Sequence, residues 1–451
     1  MSTAQTASGL KRVLRLRDLV FYGIVLIQPI AAVGLFGVAQ QMSQGHMVTT
    51  ILIAMCAMML TAVSYGRMAS VYPSAGSAYT YVSRGLNPHL GFLAGWAMVL
   101  DYLVVPVVST TYAALTLTRM VPSIPYAAWV VILGLLITGM NLRSIRSTAR
   151  WNIILLVGMC AVIAAFFALS IHYLLHHGGG AALFSLKPIY DPATFHPREI
   201  LTATSFAALT YIGFDGVTTL AEEVENPRRN VLIATVLVCA ITGLFSSVQI
   251  YLAARVWPSY TDFPNVETAF LDVCGRAGGP WLFQAMAITL LVACVGSALT
   301  GQVGAARLLY GMGRDGVLPR RIFGRLAGGN PVLNILLVGA VAVCGSLTLS
   351  YEHSAEVLNF GAFLAFMGVN AAVVKTFYAG HKESRLLMRD LLAPVMAFLF
   401  CGAIWLSLPR PAKWIGGIWL GIGILYLAAL TGGFRREPAP IEFAERQAEE
   451  P

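Results

Sequence analysis

Long apolar stretches separated by short polar segments cover almost the whole of this 451-residue chain. A helix of about 20 apolar residues crosses the roughly 30 Å hydrocarbon core of a bilayer. The pattern predicts twelve such spans, at residues 18–40, 47–69, 90–117, 126–141, 151–174, 199–221, 231–255, 281–308, 331–350, 356–379, 392–408 and 413–433. No segment between them is long enough for a soluble domain. We therefore expect an all-α integral membrane protein with twelve transmembrane helices.

Composition agrees with this pattern. Hydrophobic residues make up 57% of the chain and charged residues 11%, whereas soluble domains carry about 25% charge. The first apolar run is too long for the core of a signal peptide, so we expect the first span to be retained. The seven cysteines show no metal-ligand spacing, and neither a metal nor a cofactor is predicted.

The basic residues are unevenly distributed between the two sides. An even number of spans places both termini on one side, and assigning them to the cytoplasm leaves few Lys and Arg outside. The outer residues are Arg119, Lys187, Arg198, Arg255, Arg276, Arg410 and Lys413, out of 30 Lys and Arg in all. This positive-inside bias predicts an inner-membrane protein with both termini cytoplasmic. It disfavours a nucleic-acid partner, because the charge is divided among short segments.

Two spans contain residues that disrupt a helix near mid-membrane. In the sixth span, T-Y-I-G-F-D-G (210–216) combines two poor helix formers with Asp215, which is costly wherever lipid surrounds it. In the first span, Q-P-I-A-A-V-G (28–34) contains Pro29, which removes a backbone donor. A simple proline kink is the alternative there. Interruptions at matching places in two halves are typical of secondary transporters.

These matching positions imply that spans one to five and six to ten are copies of one unit. Since five is odd, the second copy enters from the opposite side. The prediction is an inverted five-plus-five repeat with discontinuous first and sixth helices plus two peripheral helices. Its parts are a cytoplasmic tail (1–17), a transport core (18–379) with repeats at 18–174 and 199–379, a loop with the peripheral helices (380–433) and a second cytoplasmic tail (434–451).

Unwound backbone in a bilayer must line a cavity or bind a ligand. Half-helix N-termini favour a carboxylate, and C-termini favour a cation. The candidate substrate-binding residues are Gln28, Ile30, Ala31, Ala32, Gly34, Tyr211, Ile212, Gly213, Phe214, Asp215 and Gly216.

Asp215 and Asp101, in the third span, are the candidate proton-coupling residues, because intramembrane carboxylates are functional hypotheses by default. Each has a structural alternative. Asp215 is a suitable N-cap for the lower half-helix, and Asp101 can hydrogen-bond a neighbouring span. A charged cluster at the cytoplasmic end of the sixth span is either solvated or a gating ion-pair network: Glu222, Glu223, Glu225, Arg228 and Arg229.

Four segments resemble permeases of the amino acid–polyamine–organocation superfamily. They are A-V-S-Y-G-R-M-A-S-V-Y-P-S-A-G-S-A-Y-T-Y-V (62–82), N-P-H-L-G-F-L-A-G-W-A-M-V-L-D-Y-L (87–103), G-F-D-G-V-T-T-L-A-E-E-V-E-N-P-R-R-N-V (213–231) and A-A-R-L-L-Y-G-M-G-R-D-G-V-L-P (305–319). The resemblance covers roughly residues 15 to 435 and is nearest to bacterial putrescine importers, then to generic amino acid permeases. It implies the inverted-repeat fold and uptake by alternating access, usually with a proton.

The chain departs from these relatives at three places. I-A-A-V-G replaces the Gly-Ser-Gly run that holds the substrate carboxylate in many amino acid permeases. No acid stands near Gly34, where putrescine importers tend to have one. The fifth-span run I-I-L-L-V-G-M-C-A-V-I lacks the lysine of some proton-coupled relatives and has Cys160 as its ionisable group.

The leading hypothesis is therefore a proton-coupled importer of an amino acid or polyamine, with the lipid bilayer, a small-molecule substrate and protons as its partners. An exchanger on the same fold is the alternative. A membrane-embedded enzyme is disfavoured because the histidines form no ligand pattern and no nucleophile motif appears. A sensor is disfavoured because both tails are short. The oligomeric state stays open.

The charge bias generates a topological prediction. We expect tags at both termini to be reached only from the cytoplasmic side, and a tag at residue 180 to be reached from outside. Impermeant labelling of intact cells and of inverted vesicles measures this. A C-terminal tag labelled on intact cells would show an odd number of spans and would rule out the inverted-repeat alignment.

Overall fold

The computed structural model describes residues 12–73, 76–143, 149–327, 329–380 and 386–438. Five of the basic residues that the charge bias assigns to the cytoplasmic side lie outside these ranges, as does most of both predicted tails: Lys11, Arg146, Lys382, Arg385 and Arg446. Helices account for nearly all regular structure in the described ranges. They are α1 (Leu16–Ile27), α2 (Phe36–Met42), α3 (Met47–Val71), α4 (Ser77–Gly85), α5 (Pro88–Met120), α6 (Tyr126–Leu142), α7 (Ala149–Gly178), α8 (Pro197–Ala207), α9 (Pro227–Val256), α10 (Ala269–Arg314), α11 (Arg320–Phe323), α12 (Val332–Thr348), α13 (Tyr351–Val373), α14 (Ala393–Ser407) and α15 (Arg410–Leu430).

Nine helical segments in the described ranges are long and apolar enough to cross a bilayer. α6 and α12, two shorter apolar helices of 17 residues each, coincide with the fourth and ninth predicted spans. The first predicted span is divided between α1 and α2. The protein is thus an all-helical, multi-pass membrane protein, and the count of twelve and the inverted repeat stay predictions.

Both predicted interruptions are present in the structure. In the first, α1 ends at Ile27, and a 3-10 turn at Val33–Leu35 precedes α2. In the second, α8 tightens into a 3-10 turn at Ala208–Tyr211 and restarts after Gly213 as a ten-residue 3-10 helix, Phe214–Glu223. Runs of 3-10 helix longer than three or four residues are uncommon, and they often mark a hinge or strain.

The helix boundaries in the structure differ from the predicted ones at two places, in α10 and at the start of α13. The 46-residue α10 is divided at Gly279, whose φ of 71° is not helical. α13 begins at Tyr351, five residues before the predicted start of the tenth span, because the Ser350 side chain caps it by accepting a hydrogen bond from the His353 N–H. Glu356 therefore lies inside this helix and not at its edge.

Close packing holds the long helices together. α5 and α13 approach so closely that a Cβ on Gly361 would lie 2.5 Å from the carbonyl oxygen of Ala97. α15 is attached to the same α5 by two tryptophans, Trp96 and Trp419, which stack at 4.9 Å. Each indole N–H donates to the other residue's carbonyl oxygen at 2.9 Å. α15, one of the two predicted peripheral helices, is therefore attached to the core by indole groups that are hydrogen-bonded. A polar group inside a bilayer needs such a partner within the protein.

A buried ion pair joins α3 to the segment that leads into α14. Arg67 Nη2 lies 2.6 Å from Asp390 Oδ1, and the Asp390 side chain is only 1% exposed. Asp390 also accepts the Leu386 backbone N–H at 3.0 Å, and the Arg67 guanidinium lies 3.9 Å from the ring centre of Phe377. Removing one member of such a pair leaves the other charge buried and unpaired.

We expect Asp390→Asn to destabilise the folded protein by about 3–5 kcal/mol, because the Arg67 charge loses its counterion. Thermal unfolding of the purified protein in detergent measures the effect. Glu225→Gln is the matched control, since Glu225 pairs with Arg15 at 3.7 Å with both side chains largely exposed, and such pairs contribute about 0–1 kcal/mol. Equal unfolding temperatures for both variants would contradict the prediction.

Candidate functional site

The structure brings the two interruptions together. Gly213 has φ +111°, a conformation that side chains disfavour, and a Cβ there would lie 3.7 Å from Ile27 Cγ1. A Cβ on Gly216 would lie 2.7 Å from Leu26 Cδ1. The end of α1 therefore lies directly against the restart of the sixth span. Glycine at both positions permits this approach.

The first interruption is held by polar contacts with two other helices. Gln28 has φ +69°, which is uncommon for a residue with a side chain. Its amide donates to the Ala293 carbonyl of α10 at 3.4 Å. Gln249 of α9 donates to the freed Pro29 carbonyl at 2.8 Å. The broken backbone thus finds partners inside the protein, which is the condition for a break at membrane depth.

The predicted site residues divide into two groups by exposure. Those that are buried are Ile30, Ala32, Gly34, Tyr211 and Phe214; those that are partly exposed are Gln28, Ala31, Ile212, Gly213, Asp215 and Gly216. Tyr211 has a structural contact, because its hydroxyl donates to the Ile51 carbonyl at 2.9 Å. The second group is partly accessible at the molecular surface in this conformation, and the assignment of both groups to a substrate site stays a prediction.

Asp215 occupies a different position from the predicted cap. Gly213 is the N-cap of the 3-10 helix, with no side-chain cap hydrogen bond, and Asp215 lies in the first turn. Its carboxylate faces the backbone N–H groups of Gly213 and Gly216. Negative charge is favoured at a helix N-terminus. The fold therefore supports this carboxylate without using it as the cap.

Asp101 and Asp215 belong to one electrostatic cluster. The two carboxylates interact with each other, and both interact with the hydroxyl of Tyr65 on α3. Asp101 Oδ1 and Tyr65 Oη are buried without a hydrogen-bond partner. Within the described ranges, neither carboxylate forms an ion pair with Lys, Arg or His. The site therefore has two acids and no protein cation.

Aromatic rings surround the acid-bearing side of the second break. Phe214 packs edge-on against Tyr65, with ring centres 5.4 Å apart, and tilted against Phe366 of α13 at 5.2 Å. Tyr65 also meets Tyr81 of α4 at 5.8 Å. Aromatic faces attract cations. The wall beside Asp215 is thus compatible with an organic cation.

The first break faces a second pair of tyrosines. A Cβ on Gly34 would lie 3.2 Å from the ring of Tyr112 and 3.2 Å from the hydroxyl of Tyr351. Tyr351 also lines a cleft of about 310 Å³ at the predicted outer end of the bundle, together with Glu267. Burial raises the pKa of Glu267 above its usual value. Glu267 is therefore an acidic group on the predicted outer side of the first break.

The predicted cytoplasmic ends of the broken spans are joined by backbone contacts. The N–H groups of Val13 and Leu14 donate to the Glu223 carbonyl at 2.9 and 3.0 Å, and Glu225 N–H donates to Leu14 O at 2.8 Å. Of the predicted charged cluster, Glu225 pairs with Arg15, which precedes α1. Because that pair is largely exposed, the backbone contacts fix this end more firmly than the charges do.

Several site residues were not predicted from the sequence. Tyr65 and Phe366 come from spans whose apolar pattern is uninterrupted, where an aromatic residue is most often a core residue, and Tyr81 lies between two predicted spans. The one available signal was the hydroxyl group of each tyrosine, since a buried tyrosine normally finds a partner. The acids Asp101 and Asp215, in contrast, were predicted, and they interact electrostatically.

Interrupted helices that meet inside a bundle of apolar spans, with carboxylates beside the break, define a membrane transport protein of the secondary-transporter class. The family model described as amino acid permease matches residues 19–409, and the chain belongs to that family. This confirms the resemblance to amino acid–polyamine–organocation permeases and the prediction of a transporter that is not an enzyme.

Individual relatives cover nearly the whole chain. It is 32% identical over 441 residues to the low-affinity putrescine importer PlaP of Escherichia coli (strain K12), covering 96% of each chain. It is 25% identical to the methylthioribose transporter of Bacillus subtilis (strain 168), covering 94% of each. It is also 25% identical to the branched-chain amino acid permease BcaP of Lactococcus lactis, covering 92% of this chain and 94% of that one.

We expect substrate to protect single cysteines at Ala31 and Ile212 from a thiol reagent, because both positions are partly exposed beside the break. The seven native cysteines are first replaced. A cysteine at Ala32, which is fully buried, is the control and should label slowly with or without substrate. Labelling of both test positions that every transported substrate leaves unchanged would place the substrate site elsewhere.

Proposed function

We propose that the protein imports a small organic cation, a polyamine or an amino acid with a cationic side chain, across the inner membrane by alternating access coupled to protons. The observation that carries the proposal is the pair Asp101 and Asp215. Two intramembrane carboxylates interact with each other and have no cationic partner among the described side chains. Isolated charge at membrane depth is costly, so a cationic ligand is the natural counterion.

The surroundings suit an ammonium group. A carboxylate and an ammonium form strong charge-assisted hydrogen bonds, and the rings of Tyr65 and Phe214 add cation–π attraction beside Asp215. The free Tyr65 hydroxyl is a further acceptor. The relative named as a putrescine importer, at 32% identity, favours a diamine over a neutral amino acid. The residues exposed at the two breaks would line the rest of the cavity.

Protonation of Asp215 and Asp101 couples substrate binding to pH in this proposal. A proton and an ammonium group that compete for Asp215 favour opposite states of the same carboxylate, so acid weakens cation binding. Taken alone, competition at one group exchanges a proton for the substrate. An exchanger on the same fold is therefore the second candidate function. Accumulation of substrate in liposomes with an acidic interior measures that exchange, whereas co-transport requires an acidic exterior.

We expect Asp215→Asn to weaken binding of putrescine about tenfold to a hundredfold, because a hydrogen bond to a charged group contributes about 1.5–3 kcal/mol. The asparagine variant should also lose the weakening of binding that acid causes in the wild type. Equilibrium binding of labelled putrescine to the purified protein, between pH 5.5 and 8, measures both effects.

Asp262→Asn is the matched control for this experiment. Asp262 is an exposed loop acid that accepts hydrogen bonds from Ser259 and Thr261 at 2.9 and 2.8 Å, and its loss should leave binding unchanged. Leucine is the comparison ligand. If Asp215→Asn binds putrescine as the wild type does, or if leucine binds in preference to putrescine, the cation proposal is wrong.

A further inference from the structure

A third carboxyl group, Glu356, lies inside the helical bundle on α13. Its side chain is fully buried, and both carboxylate oxygens lack a hydrogen-bond partner. An ionised carboxylate that is buried without a donor or a cation is among the costliest groups in a protein interior. The neutral carboxylic acid avoids most of that cost. In this conformation, Glu356 is therefore best accommodated with a bound proton.

A polar residue one turn further along the same helix also has an acceptor without a donor. Asn359 follows Glu356 by three residues, so both side chains lie on one face of α13. Its Oδ1 is buried without a partner, whereas its amide group donates to the Ser205 carbonyl at 2.6 Å. These two residues together present three buried acceptor atoms without a hydrogen-bond partner. A proton on Glu356 removes the charge of the carboxylate and adds a donor to this face.

The same part of α13 contacts both broken spans. Ser205, which accepts from Asn359, lies in α8 three residues before the 3-10 turn that leads to the break. Tyr351, five residues before Glu356, meets Phe206 of α8 edge-on at 6.1 Å, and its hydroxyl faces Gly34 of the first break. The first turns of α13 therefore bear on both interrupted spans through Tyr351 and Asn359.

The charges around this part of α13 do not neutralise the carboxylate. Glu352, one turn earlier, interacts electrostatically with Glu356 and has the same sign. Titratable groups also lie on every other element packed against α13. They are His89, Asp101, Tyr102, Tyr112 and Arg119 of α5, Cys56, Tyr65 and Arg67 of α3, Tyr79, Tyr81 and Arg84 of α4, Arg198 and Glu199 of α8, Tyr211 at the sixth-span turn, Cys344 of α12, Lys375 and Tyr378 of the segment after α13, Cys401 of α14, and Arg410, Lys413 and Tyr426 of α15. Within the described ranges, none of these cations pairs with Glu356 within 4 Å.

We propose that Glu356 binds the proton that is carried inward with the substrate. The inference rests on the proposed function and deepens it. A proton that competes with a cation for Asp215 exchanges with it, whereas co-transport needs a proton group that stays occupied while the substrate is bound. Glu356 is such a group, because the charged residue that interacts with it is Glu352 and neither member of the acid pair. The proton enters from the outer solution and leaves to the cytoplasm when the conformation changes.

The test is accumulation of putrescine in proteoliposomes driven by a pH gradient of one unit, with the membrane potential clamped at zero. One proton per substrate supports about tenfold accumulation under this gradient. We expect the wild type to approach that ratio and Glu356→Gln to accumulate about onefold. Glu356→Gln should keep wild-type putrescine binding and counterflow, because its amide replaces the protonated acid in shape and hydrogen bonding. Glu356→Asp should restore part of the gradient response.

Two further measurements keep the outcomes distinct. Glu352→Gln, one turn away and partly exposed, is the matched control and should accumulate as the wild type does. If Glu356→Gln retains tenfold accumulation, Glu356 is not the proton site. If it loses binding and counterflow together with accumulation, its role is structural and the inference is again overturned. Loss of putrescine binding in Asp215→Asn, measured in parallel, reports on the proposed function independently of Glu356.

Discussion

The structure depends on one constraint: within a bilayer, every polar group must find its partner inside the protein. The two helix breaks satisfy it in different ways. Gln249 of α9 donates to the carbonyl freed at Pro29. The sixth span uses local bonds, in which the Ile212 N–H donates to Leu209 O and the Gly216 N–H to Gly213 O. Asp101 and Glu356 are among the groups that do not satisfy the constraint, since each retains buried oxygen atoms without a donor. These are the groups for which we propose a ligand and a proton.

The helix breaks were predictable because their causes are local. Pro29 lacks a backbone donor, and glycine at position 213 can adopt a positive φ at little steric cost. Apolar length likewise predicted the long helices. The acid pair was predictable for a similar reason, since any carboxylate inside an apolar run stands out. The ten-residue 3-10 helix after Gly213 was not predictable, because a 3-10 helix and an α-helix share the same hydrophobic pattern.

What the sequence pattern missed depends on distant chain segments. Tyr65 belongs to the site because α3 brings it to Phe214, about 150 residues along the chain. Glu356 was missed because it begins the apolar run of the tenth span, where an acid is expected to be solvated. The Ser350 cap extends α13 by five residues, and the other helices bury the carboxyl group. Neither effect can be derived from hydropathy alone.

We propose that the three carboxyl groups bind different positive charges: Asp101 and Asp215 bind the cationic substrate, and Glu356 binds a proton. A dication that moves inward gains about 2.3 kcal/mol per charge for each 100 mV of membrane potential, so the potential already drives its uptake. In the proposed mechanism, Asp101 and Asp215 lower the cost of carrying that charge through the apolar interior. A proton carried inward at Glu356 adds about 1.4 kcal/mol for each pH unit across the membrane, and a further charge that the potential drives inward. The proposed proton site therefore sets how far the carrier accumulates substrate, whereas the acid pair sets which substrate it binds.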